Sequence, residues 1–403
     1  MAIKTTPLFV SDLGMGCDVY KLSAQAFFEG TGWGNLRVGW RMIVRTPGVE
    51  FPKHFDHELR EQVIGMSQAR YSPQEIKHLL KYAYWLPPQY VRALSQRTLE
   101  PDMVKISQRH ASLLVTVEGS WSGSTEWELR LMATIEALWN HMTGRKLVSD
   151  HLETVERRAR SFRKHRLFLS SFGQRRAYSP DVYSDQVGAI KRGAGLVSQG
   201  GVLLGESGLY AAAKHDIPLG GTMPHELFIV LSTIFGLEGV YHYILGKWLD
   251  FFDGSVGYLL PDTFTTPLAL RHFTTRFAKA FDGVRHDSGD WREFTDRIVA
   301  HYRMVNVDPT TKYILYSNGV NPELAMLIHR YAQKLNLRDR YGPGQGLIGN
   351  LCGAKPPAPF LDLVIKPCSV DGRPTGKLSD SPGKASGSRA WLRYARWLAG
   401  QYR

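Results

Sequence analysis

The 403-residue chain is 43% apolar, carries a formal net charge of +13 and contains three cysteines. Its size suits two domains, or one barrel with an added layer, and its composition is that of a globular protein rather than a disordered one. No apolar run reads as a bilayer span, and Cys17, Cys352 and Cys368 are too scattered for a disulfide framework or a CxxC zinc site.

The chain opens without a charged-then-apolar leader, so a cytoplasmic protein with no membrane association is expected. Strand-like Leu36–Val44 and Ser112–Glu118 alternate with helical Asp56–Met66 and Pro73–Tyr82, an α+β pattern with no repeat. The basic stretch from Arg157 to Arg166 reads first as a solvated helix face, with a phosphate-backbone contact as the sharper alternative. The net charge fits a polyanionic small substrate as well as nucleic acid.

From Arg166 a unit recurs: a short apolar run, a polar or glycine-rich turn, then a helical stretch. The runs are Leu167–Leu169, Val202–Leu204, Ile217–Leu219, Val256–Leu260, Gly283–Arg285 and Tyr313–Tyr316. Each unit is roughly twenty to forty residues, the size of a strand plus a returning helix, which makes parallel sheet. Without a dinucleotide glycine fingerprint, the series favours an α/β barrel over an open doubly wound sheet.

In a barrel the turns after these strands share one rim, the candidate site. They read FGQRR (Phe172–Arg176), GESG (Gly205–Gly208), GTMPHE (Gly221–Glu226), PDTFT (Pro261–Thr265), RHDSGD (Arg285–Asp290) and YSNG (Tyr316–Gly319). In the fifth, Asp290 has a plain alternative as the cap of the following helix. Phe172 offers either a stacking face or simple packing, and Arg175 a bidentate partner for a carboxylate. His225 would sit in the first turn of an apolar helix, where the dipole disfavours imidazolium and favours an added anion.

Asp262, Asp287 and Asp290 would hold ribose hydroxyls and magnesium, while Arg285, Lys377 and Lys384 supply cations. The glycine turn GPGQG, with Gly342 and Gly344, offers either a phosphate cradle or an ordinary loop. After Tyr341 the style of the opening returns, with a hairpin predicted around Asp371–Gly372. The two ends of the chain are therefore expected to build one discontinuous domain. From Ser388 onward Trp391, Tyr394, Trp397 and Leu398 alternate with arginines at helical spacing, an amphipathic helix with nucleic-acid stacking as the minor alternative.

Collinear segments resemble the nicotinate phosphoribosyltransferase family. CDVYKLSAQAFF (Cys17–Phe28) is similar to its DxYK segment and WELRLMATI (Trp127–Ile135) to its WE helix. FGQRR is similar to FGTRR, GTMPHE to GTxAHE, and GVRHDSGD to GLRHDSGD; VIKPCSVDGRP followed by KLSDSPGK resembles the closing hairpin and lysines. The motifs run almost end to end, in the family order. Departures fall at YSN for FSD, which puts Asn318 in place of a carboxylate, at GPGQ for GIGT, and at GESG for GTSN.

The resemblance implies an irregular α/β barrel of the type II phosphoribosyltransferase kind over about residues 131–354, with an α+β domain over 1–130 completed by about 355–403. It implies transfer of phosphoribosyl from 5-phosphoribosyl 1-pyrophosphate to nicotinate in NAD salvage, with Mg2+ and with ATP as co-substrate, in a homodimer with shared sites. A nicotinamide-using enzyme, or a weakened relative with a regulatory role, is the alternative. Carried over by residue, Tyr20 from the partner subunit and Phe172 sandwich the ring, with Asp18, Arg41, Arg175 and Ser207 in the same substrate subsite. Arg285, Asp262, Asp287 and Asp290 serve ring and ribose, with Asp287 and Asp290 also on the metal. Lys377, Lys384, Gly342 and Gly344 receive phosphate, and His225 is the phosphohistidine.

Overall fold

A computed structural model describes residues 6–255, 257–349, 351 and 361–400. Val256, Cys352 and the domain boundary near 355 lie outside the described residues.

Two sheets carry the architecture. The first is antiparallel and five-stranded: β1 (Arg37–Val44), β2 (Val104–Arg109), β3 (Ser112–Ser120), β10 (Leu363–Val370) and β11 (Arg373–Pro374), in the order β11-β10-β1-β3-β2. β1 is central, pairing β3 on one side and β10 on the other, so residues more than 300 positions apart share a ladder. The β10–β11 hairpin turns at Asp371 and Gly372, both with positive φ (47° and 76°), the pair of left-handed residues that a two-residue turn requires. The ends of the chain thus meet in one sheet, as expected.

The second sheet is parallel: β4 (Leu169–Ser171), β5 (Leu203–Glu206), β6 (Tyr258–Leu259), β7 (Gly283–His286), β8 (Tyr313–Tyr316) and β9 (Arg338–Tyr341), in the order β5-β4-β9-β8-β7-β6. The fold is therefore α/β beside a discontinuous α+β layer. Two expected strands are curtailed. Among the described residues 257–260 strand is confined to Tyr258–Leu259, and Ile217–Leu219 contributes a single bridge from Leu219 to Glu206. Pro218 has no N–H to donate, so a regular ladder cannot run through that segment. β9 was not expected: its sequence RDRY has no apolar run, although Tyr341 is fully buried.

Eight helices matter to the site: α1 (Val19–Gly30), α2 (Trp127–Met142), α3 (His151–Lys164), α4 (Pro180–Ala194), α5 (His225–Phe251), α6 (Trp291–Met304), α7 (Pro322–Lys334) and α8 (Arg389–Gly400). Several start in the same way. Ser179, Asp290 and Asn321 each accept a backbone N–H from the first turn of α4, α6 and α7, satisfying donors that a helix start leaves orphaned. The basic stretch from Arg157 falls on α3, where Arg160 and Arg158 bond Glu156 and the carbonyls of Leu347 and Gly349.

Helix α5 corrects one reading of the sequence. It is long and apolar enough, by length and composition, to cross a bilayer, because its charged residues are spaced widely. It is instead kinked at Gly236 (φ 71°) and packs Leu227, Phe228, Val230, Leu231, Tyr241 and Ile244 fully buried in the core.

Candidate active site

The carboxyl ends of the parallel strands and the cavity-facing side of the antiparallel sheet enclose a cavity of about 340 Å³. Its lining carries seven lysines and arginines (Arg45, Arg175, Arg176, Arg285, Lys366, Lys377, Lys384) against four carboxylates (Asp18, Glu128, Glu226, Asp287). The excess is cationic, which suits a polyanion.

At one end β7 delivers Arg285 and, one turn later, Asp287. Arg285 is 9% exposed and bonded through each of its three nitrogens: Nε donates to Ser317 Oγ (2.8 Å), Nη1 to Thr222 Oγ1 (2.7 Å) and Nη2 to Asp287 Oδ1 (2.8 Å). Its guanidinium also lies over the Phe172 ring, 5.3 Å from the centroid. Burial pushes the Asp287 carboxyl up, but Arg285, His225 and Lys384 prevail and hold it well below the usual carboxylate range. Lys384 donates to the Asp287 carbonyl (2.5 Å) and to Asn318 Oδ1 (3.0 Å), so Asn318 keeps a cation in place without a charge of its own.

Behind Asp287 lies a second cluster. His225 opens α5, and its Nε2 is 2.7 Å from both Asp262 Oδ1 and Lys377 Nζ. A neutral imidazole nitrogen can donate to the first or accept from the second, not both. Burial, then the Lys377 cation, pushes the His225 pKa down to about 4, so the ring is neutral at neutral pH. Asp262, 1% exposed, also accepts from Lys377 (3.0 Å) and Ser288 (2.6 Å) at Oδ2; these donors keep it ionised despite burial. Ligand atoms of His225, Asp262 and Asp287 lie within 4.8 Å of one another.

The other end holds Phe172, Tyr20, Asp18, Arg175 and Ser207. Ser207 Oγ donates to Asp18 (2.9 Å), whose pKa burial raises and Arg175 lowers in part. Tyr20 and Asp18 come from the same chain as Phe172, where the resemblance implies a Tyr20 from a partner. Gly342 passes so close to Phe172 that an added Cβ would lie 2.5 Å from the ring, so only glycine lets this turn back the aromatic wall. The Pro343 carbonyl accepts the Phe172 amide (3.0 Å), and Gly344 also lines the cavity.

Two expected site residues stand elsewhere. Asp290 is exposed and outside the cavity lining; its Oδ1 caps α6 by accepting the amides of Arg292 (2.9 Å) and Glu293 (3.0 Å). Gly289, with φ 82°, turns the chain between it and Asp287, so Asp290 stands apart from Asp287, whose neighbours are Asp262 and His225. Arg41 pairs with Lys366 across the β1–β10 ladder but is exposed and does not reach the cavity, whereas Arg45, farther along, does.

Sequence reasoning passed over Glu128, Lys366, Arg45 and Thr222. Glu128 lies in the WE helix and Lys366 in the VIKPC strand; they bond each other at 3.0 Å, and Lys21 of α1 bridges Glu128 and Glu226. Burial works against the Glu128 carboxylate, yet Lys21 and Lys366 hold its pKa well down. Signals existed in YK, WE and KP, whose charged residues sit inside otherwise apolar elements.

Comparison with known proteins agrees with this geometry. Residues 167–397 match the model of the nicotinate phosphoribosyltransferase family, and residues 15–136 match that of its N-terminal domain. A nicotinate phosphoribosyltransferase of Desulforapulum autotrophicum is 34% identical over 378 residues, covering 92% of this chain and 94% of that protein. One from Chromohalobacter salexigens is 33% identical over 86% of this chain and 88% of its own. The crystal structure of nicotinate phosphoribosyltransferase from Porphyromonas gingivalis superposes with a TM-score of 0.90 at 26% identity, covering 97% of this chain and all of that one. The chain, an enzyme of the phosphoribosyltransferase class, belongs to the nicotinate phosphoribosyltransferase family.

Proposed function

We propose that the enzyme joins nicotinate to 5-phosphoribosyl 1-pyrophosphate, giving nicotinate mononucleotide and pyrophosphate, in cytoplasmic NAD salvage. The observation that carries this reading is that two aromatic side chains, Phe172 and Tyr20, line the same cavity as a cationic, carboxylate-braced pocket. The ring lies between Phe172 and Tyr20, with Arg175 on its carboxylate and Asp18 and Ser207 at its edge. Arg285 spans the junction, one face on Phe172 and one nitrogen on Asp287.

Transfer at an anomeric carbon builds positive charge on the ribose as the pyrophosphate leaves with negative charge. Asp287 and Asp262, kept ionised, stabilise the first, and Lys377 and Lys384 receive the second. No covalent nucleophile is needed: a ring nitrogen held in line attacks, so positioning supplies much of the rate. Asp262 Oδ2 already accepts from Lys377 and Ser288 and its Oδ1 lies 2.7 Å from His225 Nε2, whereas Asp287 Oδ2 stands 3.7 Å from His225. This donor set fits Mg2+ carried on substrate phosphates, held by Asp287 with Asp262 behind it, rather than an ion in an all-protein cage. Bound there, magnesium would neutralise charge on the departing pyrophosphate.

His225, with Lys377 against Nε2 and a helix N-terminus behind it, is the residue that would carry phosphate from ATP. A homodimer is the assembly this reading carries. The test is direct: purified protein with 5-phosphoribosyl 1-pyrophosphate, magnesium and either nicotinate or nicotinamide, with and without ATP, followed for mononucleotide. Product from nicotinate is expected; none from either ring overturns the reading, and product from nicotinamide alone reassigns the ring. In His225→Ala the ratio of rates with and without ATP should fall to one, and acid-labile phosphate on the chain should vanish.

A further inference from the structure

Glu206, the last residue of β5, is completely buried and does not line the cavity. Its Oε1 accepts from the Tyr183 hydroxyl of α4 (2.5 Å) and from the Gly208 amide (2.7 Å). Its Oε2 is buried without a hydrogen-bond partner. As a carboxylate, that oxygen would be a desolvated charge with nothing opposite it. The groups that face it are Tyr183, Ser171 at the end of β4, the Gly208 amide and a second carboxyl, Asp18. There is no cation among them.

The turn that Glu206 braces is the seam between the strand ends and the segment leading into α1. The Ser207 amide donates to the Ser171 carbonyl (3.1 Å), and the Ser207 carbonyl accepts the Val19 amide (2.8 Å). The Leu209 amide donates to the Cys17 carbonyl (2.8 Å), and Ser207 Oγ to Asp18 (2.9 Å). The segment carrying Asp18 and Tyr20 is therefore tied to the strand ends by contacts flanked by Glu206, and Phe172 follows the very strand to which Ser207 is tied.

We propose that Glu206 is a positioning residue for the ring subsite: as the neutral acid it locks the Ser207–Gly208 turn, which holds Asp18 and Tyr20 opposite Phe172. The inference rests on the reading of that end of the cavity as the ring site. Burial, which pushes the Glu206 pKa up to about 8, agrees with it. Ionisation would place the new charge beside Asp18 and loosen the turn.

The experiment compares wild type, Glu206→Gln and Glu206→Leu for KM of nicotinate and of 5-phosphoribosyl 1-pyrophosphate, and for nicotinate affinity by titration calorimetry, over roughly pH 6 to 9. Wild type that makes no mononucleotide defeats the functional reading itself, whatever the variants do. Given wild-type turnover, Glu206→Leu should raise nicotinate KM about tenfold, the size of one lost buried hydrogen bond, with the other KM within about twofold. Wild-type nicotinate affinity should fall as pH rises through about 8. Glu206→Gln, which keeps the acceptor and cannot ionise, should match wild type at neutral pH and lose that fall. Should Glu206→Leu fail to fold, the pH comparison of wild type with Glu206→Gln decides. Equal losses in both KM values, unchanged nicotinate KM in Glu206→Leu, or parallel pH profiles in wild type and Glu206→Gln would overturn the proposal.

Discussion

At the Lys377 end of the cavity, buried carboxylates are held ionised by cations; at the Tyr20 end, burial pushes Asp18 and Glu206 towards the neutral acid, and only Glu128, with Lys21 and Lys366 on it, is held down. Asp262 and Asp287 are gripped by Lys377, Arg285, Lys384 and an imidazole. Glu206 meets a phenol, an amide, a serine hydroxyl and a second carboxyl, and Asp18 a serine hydroxyl with two arginines, Arg175 and Arg285, nearby. A pocket for a departing polyanion needs cations that are charged and oriented before the substrate arrives, and pre-pairing them with carboxylates keeps them so. A slot for a flat ring needs shape, which neutral hydrogen bonds fix without a net field.

The contrast breaks first at the charged end. Asp287→Asn removes the charge opposite Arg285 and next to the ribose; kcat/KM should fall about 10²- to 10³-fold in steady-state assays, while a loss below about threefold would place the chemistry elsewhere. At the neutral end, Phe172→Leu removes a ring face, and the expected cost is about tenfold in nicotinate KM with kcat little changed.

Stability against pH separates the cation-held carboxylates from the neutral ones by sign. A Glu206 pKa raised above its unfolded value means the native state holds a proton the unfolded chain has lost, so its contribution declines as pH climbs from the ordinary glutamate range to about 8. Glu128, held down by Lys21 and Lys366, contributes above the ordinary glutamate range and is lost as pH falls below it. Calorimetric Tm should therefore drop less towards pH 8 in Glu206→Gln than in wild type, and less towards acid pH in Glu128→Gln. The smallest effects sit outside the cavity: Asp290→Ala should cost about 1 kcal/mol as a lost helix cap and leave KM values alone, and Arg41→Ala should change kcat/KM less than about twofold.

Much of this was legible because the parallel strands and their turns are short and local. GVRHDSGD announces a buried strand that ends in charges, and Arg285 and Asp287 stand there. The same peptide hid a distinction, since Asp287 and Asp290 look alike in sequence, and only the turn at Gly289 sends one into the cavity and the other onto a helix end. Glu128 and Lys366 were illegible for a different reason: each sits in an apolar element and gains meaning only from a partner across the fold. β9 escaped because strand burial there rests on Tyr341 rather than on an apolar run.

The central position of β1 has a consequence for how a working molecule comes into being. Its partner β10, with Lys366, and the lysines at 377 and 384 are translated more than 300 residues after it. A nascent chain therefore carries β1 with one edge unpaired and a cavity short of three of its cations until those residues are made, since domains build as their segments emerge. Substrate capture thereby becomes a late checkpoint on completeness. A chain cut short before β10 would carry an exposed strand edge, an invitation to aggregation, and almost no means of holding pyrophosphate.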